Sequence, residues 1–193
     1  MTMSTSSNAP ERLETADLVL IRSRPELARR LCDYHIRNQD FLSQYAPGRP
    51  PEFYTPEFQR NLLEREEEEY RQDMSCRYYI APKEAPETLI GLAAVNQIIR
   101  GGFQSAFVGY NLDREFLRRG YMTQALTALV ETAFGPLWLH RLEANIMPRN
   151  TASLRTAARC GFVPEGISPK YMQINGVWED HIHMVRRNTA LED

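Results

Sequence analysis

Apolar positions along this chain change period several times, and each change marks an element. "DLVLIRSR" (Asp17 to Arg24) reads as a strand. Pro25 then opens "PELARRLCDYHIRN", where Leu27, Leu31 and Tyr34 share one helical face and proline suits a first helical position. "PGRPPEFYTP" is a loop by its prolines. "PEFQRNLLEREEEEYRQD" (Pro56 to Asp73) predicts a second helix, and its acidic run, Glu66 to Glu69, reads as a solvated face or as a lure for a basic partner. Three strand-like runs follow, "CRYYIAP", "TLIGLAAVNQII" and "SAFVGYNLD". The turn "RGGFQ" (Arg100 to Gln104) makes the last two antiparallel neighbours. Met122, Ala125, Leu126, Leu129, Val130, Ala133 and Phe134 then line one face of a third helix.

"HRLEANIM" is a strand with Leu142, Ala144 and Ile146 on one side. "PRNTASLRTAARCGF" is a turn and short helix, stopped near Gly161 as a glycine just past a helix end would stop it. "ISPKYMQINGVWEDHIHMVRR" is a closing hairpin, with Asn175-Gly176 as a type I′ turn. Strands and helices therefore mix without regular βαβ alternation. The expected class is α+β: a mixed, mostly antiparallel central sheet with helices on both faces, and not a dinucleotide-binding fold.

The 193 residues suit one domain, expected over residues 13–193. Residues 1–12, "MTMSTSSNAPER", are polar, lack the apolar centre of a secretion signal and read as a disordered tail. No apolar run is long enough to span a bilayer, so a cytoplasmic location is the default. Net charge is −2, which gives no global electrostatic case for nucleic acid. Cys32, Cys76 and Cys160 are odd in number and widely spaced, which argues against a disulfide framework or a zinc site. Cys160 reads as a small buried thiol beside a helix end. His181 and His183 alternate onto one strand face but lack a third ligand, so no metal is expected.

The chemistry concentrates in "FLRRGYMTQALTALVETAF" (Phe116 to Phe134). A strand runs through a basic turn with one glycine, Gly120, into a helix. Such a turn exposes backbone N–H groups at a helix N-terminus, where the macrodipole favours an anion. A bound phosphate and an ordinary loop with solvated arginines both fit the turn taken alone. Asn150 and Ser153, in "NTAS", sit where a helix needs capping.

Three segments in order, "GYNLDREFLRRGYMTQAL", "HRLEANIMPRNTAS" and "CGFVPEGISPKYMQINGVWEDH", resemble the GNAT superfamily of N-acetyltransferases. The nearer resemblance is to the RimJ/RimL type, the N-terminal acetyltransferases of ribosomal proteins, with the last two segments most like the RimJ branch. The resemblance spans nearly the whole chain and implies acetyl-CoA as the co-substrate. It places the CoA pyrophosphate on the turn Leu117, Arg118, Arg119, Gly120, Tyr121, Met122 and Thr123, with Met122 crowding the family's small position. It assigns Asn150 and Ser153 to the pantetheine arm and thioester, and the strand end near Leu112 to the pantetheine amides. Phe107 and Met172 stand where RimL-like relatives carry glutamate, so neither supplies a base. Ser153 and Tyr171 remain as hydroxyl donors, Ser153 being placed near the sulfur, and Glu165 and Asp180 as acids.

The implied acceptor is the α-amine of a ribosomal protein N-terminus, an alanine in the RimJ branch. An α-amine has a pKa of ~7.7–8.0 against ~10.4 for lysine, so it needs only modest base assistance. The acidic helix is expected to border the acceptor groove. A small amine as acceptor and a non-catalytic CoA-binding module are the competing readings, and the protein is expected to be a monomer or a homodimer.

Overall fold

The computed structural model describes residues 8–192. The elements are β1 (Arg12–Glu14), β2 (Leu18–Arg22), α1 (Ala28–Leu42), α2 (Pro56–Arg71), β3 (Cys76–Pro82), β4 (Gly91–Ile99) and β5 (Ser105–Leu112). They continue with α3 (Tyr121–Phe134), β6 (Arg141–Ile146), α4 (Thr151–Arg159), β7 (Val163–Ile174) and β8 (Val177–Arg187). The eight strands form one sheet in the order β1-β2-β3-β4-β5-β6-β8-β7. All neighbours are antiparallel except β5 and β6.

The short apolar runs of β2 and β3 are buried on both sides, and side-chain alternation divides them between two cores. Leu18, Leu20, Tyr78 and Ile80 join α3 in one cluster. Val19, Ile21, Tyr79 and Ala81 join Leu31 and Tyr34 of α1 and Leu63 of α2 in the other. The helices thus cover both faces, as the chain's pattern requires. Gly91 sets the β4–β5 spacing: a Cβ there would lie 2.5 Å from the carbonyl oxygen of Asn111.

Three local features depart from the sequence reading. Pro25–Leu27 forms a 3-10 turn, and α1 begins only at Ala28. Arg12–Glu14 is a strand, paired with Val19–Ile21. The chain just before it is tied down as well. Ala9 is buried and its carbonyl accepts from Arg22 and Tyr70, while Pro10 accepts from Tyr78 at 2.6 Å. The expected tail is therefore packed from Ala9 onward, and its residues 1–7 lie outside the described part. At the other end Asn175 (φ 49°) and Gly176 (φ 83°) both adopt the left-handed backbone that a type I′ turn demands. Among the described residues no helix is long and apolar enough to cross a membrane.

Candidate active site

β5 and β6 pair for only three residues each, Ser105–Phe107 against Arg141–Glu143. Beyond them β5 runs on to Leu112 and β6 to Ile146 without pairing, so the two strands splay. Unpaired strand edges leave backbone donors and acceptors for a ligand to satisfy. A cavity of about 400 Å³ opens in this gap, walled by Val108–Asn111 on one side and Ala144–Met147 on the other. The predicted Leu112 stands at the far end of the open edge, its side chain buried in the core. α1 adds His35 and Gln39 to the wall, and the hairpin adds Met172, Ile174 and His181. The α1–α2 connection closes round it with Tyr45, Arg49 and Phe53. Asn175 fastens that connection to the hairpin, accepting from the Gly48 N–H at 2.9 Å and donating to the Ser43 carbonyl at 2.5 Å.

Asn150 and Ser153 both reach the cavity, and both also serve the helix. Asn150 caps α4 by accepting from the Ser153 N–H at 3.2 Å. The Ser153 hydroxyl donates to Tyr110 Oη at 2.9 Å, and Tyr110 Oη donates to the Ser153 carbonyl at 2.9 Å. Burial pushes the Tyr110 phenol up to about 12, so it stays protonated at neutral pH. Tyr110 did not stand out in the sequence because it reads as one more strand aromatic. Only the fold sets it against α4, 43 residues away.

No aspartate or glutamate lines the cavity among the described residues. Met172 does line it, where a glutamate would have supplied a base. Two histidines are present instead. His35 is pushed down to about 4 by burial and by the positive charges of Arg49 and Arg77. His181, 3% exposed, places Nδ1 3.1 Å from the Glu179 carbonyl. A carbonyl only accepts, so Nδ1 carries the proton and Nε2 keeps a lone pair.

The acidic run of α2 does not border this cavity. Glu66 is buried and accepts from Arg77, from Ser23 Oγ at 2.7 Å and from Tyr79 Oη at 2.8 Å. Glu67 and Glu68 pair with Arg71 at 3.2 and 3.1 Å, and Glu69 accepts from Ser75 at 3.0 Å. A run of four glutamates on a helix must point in several directions, and one of these points into the core.

The structure also separates the remaining candidates from the cavity. Glu165 pairs with Arg141 at 2.8 Å, and Asp180 accepts from the Lys170 N–H across the irregular stretch of β7. Tyr171 does not line the cavity. Its ring packs against His181 and His183, and its hydroxyl lies 3.4 Å from the amide nitrogen of Asn145, which does.

The basic turn stands apart from the cavity, at the N-terminus of α3. Gly120 is the cap residue, with φ 76° and no side-chain cap. The first intrahelical bond runs from Gln124 N to Gly120 O at 3.1 Å, so the N–H groups of Tyr121, Met122 and Thr123 precede the helical ladder. Leu117, Arg118, Arg119 and Gly120 are exposed. Arg119 donates to the Glu115 carbonyl at 3.1 Å and covers the Phe116 ring. The side chains of Met122 and Tyr121 are buried in the core, and Thr123 is half-buried.

The "Acetyltransferase (GNAT) domain" family matches residues 17–163. Probable N-acetyltransferase YjcK of Bacillus subtilis is 42% identical over 75% of this chain and 79% of its own length. The [ribosomal protein uS5]-alanine N-acetyltransferase of Escherichia coli is 32% identical over 91% of both chains. The crystal structure of ribosomal-protein-S5-alanine acetyltransferase from Vibrio fischeri superposes with a TM-score of 0.88 at 31% identity, covering 92% of this chain and 96% of that one. Splayed sheet, free helix N-terminus and kinship agree: the chain is an acetyltransferase and belongs to the GNAT family, among relatives of the RimJ/RimL kind.

Proposed function

We propose that this enzyme transfers acetyl from acetyl-CoA to the α-amine of a ribosomal protein N-terminus. The splay of β5 from β6 carries the reading. It provides an unpaired strand edge for the pantetheine arm and a cavity in which amine and thioester can meet. The exposed N–H groups ahead of α3 receive the pyrophosphate, with Arg118 and Arg119 adding charge. The identity to an enzyme that acetylates a ribosomal alanine supports the acceptor.

Acetyl-CoA supplies an activated acyl thioester. The chain's own residues then have two tasks. His181 Nε2, the cavity's neutral lone pair of fixed tautomer, accepts the proton that the attacking amine releases. The Ser153 hydroxyl turns from Tyr110 Oη to donate a hydrogen bond to the departing sulfur, and Tyr110, held by its own bond to the Ser153 carbonyl, stays protonated beside it. Ser153 keeps its proton, and the proton that His181 takes from the amine passes through solvent to the thiolate, so every group returns to its starting state. His35, held down to about 4, is neutral near pH 7 and a weak base there.

The test is incubation with acetyl-CoA and an alanine-initial peptide, free and N-terminally blocked, read by mass spectrometry. Acetyl on the free α-amine alone is expected. Thiol release without acetylation of either peptide would overturn the protein acceptor. A small amine is the second reading, and the Asn175 bonds that fasten the wall residues Ser43 and Gly48 to the hairpin favour it.

A further inference from the structure

The charged groups around the cavity are of one sign. Arg49 and Arg77 line it, and no carboxylate does among the described residues. Arg77 is neutralised by Glu66. Arg149, over the Tyr45 ring at the rim, is paired with Glu179 at 2.8 Å. Arg49 alone has no ion-pair partner among the described residues. It is exposed, and its guanidinium lies 5.0 Å from the centre of the Phe53 ring, which fixes its position at the wall. The depressed His35 reports the same positive field from inside the cavity.

We propose that the acceptor carries a carboxylate close to its amine, and that Arg49 reads it. On the protein-acceptor reading, on which this rests, the target is an N-terminus with an acidic residue in its first few positions. Two physical consequences favour this pairing. An unpaired guanidinium at the cavity wall attracts a carboxylate and can hold it through two parallel hydrogen bonds. The same charge disfavours the ammonium form of the incoming amine, so more of it arrives as the neutral nucleophile. That lightens the task of a cavity without a carboxylate base. A basic N-terminus would meet the opposite field.

The experiment compares two matched pairs of acceptors. One pair is an alanine-initial peptide with Asp or with Lys at its second position. The other is a free amino acid and its amide. For each, kcat/KM is measured at low and high salt with the unaltered enzyme, Arg49→Gln and Arg49→Glu. The carboxylate-bearing member is expected to lead by about fivefold to tenfold at low salt, as for a partly exposed charge-assisted contact. The lead shrinks as salt rises, vanishes in Arg49→Gln and inverts in Arg49→Glu, while the KM for acetyl-CoA stays fixed. Equal or reversed preference in the unaltered enzyme overturns the proposal. So does a preference that survives Arg49→Glu. If both peptides are refused while the amino-acid pair reacts, the protein-acceptor reading fails, and the amino-acid pair still decides the role of Arg49.

Discussion

The turn before α3 and the cavity between β5 and β6 are built in opposite ways. The turn lies within one short stretch of chain, and what it offers a ligand is main-chain N–H groups held by a left-handed glycine. The cavity is assembled from side chains of α1, the α1–α2 connection, β3, β4, β5, β6, the α4 cap and the closing hairpin. Backbone groups survive most side-chain changes. A wall drawn from eight segments changes with each of them. The donor half of such an enzyme is therefore the constant part, and the acceptor half is the part that can vary.

The largest effect is expected at the joint between the two. Asp113 follows β5 and begins the path to the turn. Its fully buried carboxylate accepts from Arg37 at 2.7 Å and from the Glu115 N–H at 2.9 Å, and its own N–H reaches Ile90 at 2.7 Å. Replacing it by alanine takes the acceptor from the buried Glu115 N–H bond and from the part-exposed Arg37 guanidinium, so Asp113→Ala should cost about 3 kcal/mol. Urea unfolding at neutral pH measures it. A loss under about 1 kcal/mol, the scale of an exposed pair, would mean that turn and cavity are anchored independently.

Within the cavity, Ser153→Ala and Tyr110→Phe should each lower kcat by about 10²-fold, as removal of a hydrogen-bond donor does. The KM for acetyl-CoA should hardly move. Because the hydroxyls hydrogen-bond to each other, the double variant should fall little below Ser153→Ala. A loss equal to the product of the two singles would show that they act separately. Unchanged turnover in Ser153→Ala would remove the serine from the chemistry.

At the turn, side chains should matter less than backbone. Arg118→Ala removes one exposed charge and should raise the KM for acetyl-CoA by only a few-fold. Gly120→Val is different, although no neighbouring atom would touch the new Cβ. Its φ of 76° is a left-handed value that costs a branched residue roughly 1–2 kcal/mol, and relaxing it swings the N–H groups away. The expected KM rise is about tenfold with kcat retained. Equal effects of the two substitutions would contradict the backbone-built turn.

The same contrast explains what could be read before the fold was known. Helix α3 was legible because its apolar face repeats within fourteen residues, and the type I′ hairpin because Asn-Gly has few other uses. The short chain segment holding Gly120 could be picked out whole. Tyr110 could not, since its partner Ser153 lies 43 residues away, and His181 and Arg49 gain their place only from a cavity that distant segments wall. Glu66 misled for a related reason. Four adjacent glutamates look like one charged surface, and nothing local says that one of them meets Arg77 inside. Met122 was legible in both roles, its side chain on the apolar face of α3 and its N–H at the turn.

The smallest expected effect belongs to His35, and it isolates the cavity's field from the turn. The folded protein binds the His35 proton more weakly than the unfolded chain does, with a pKa of about 4 against an ordinary value of ~6.5. Between those values the unfolded state holds more proton, so stability falls as pH drops through this window and is fully regained above it. The ring is half-buried at a solvent-filled wall, so screening should leave about 1 kcal/mol of this dependence. His35→Phe should flatten the urea midpoint between pH 4 and 6.5. In the intact ring, Arg49→Gln should raise the pKa seen by NMR, because one of the two cations that hold it down is gone. Gly120→Val should leave that titration where it was, since the turn belongs to the other half. A shift of the His35 titration in the glycine variant would show that the two halves share one electrostatic environment, and the division drawn between them would fail.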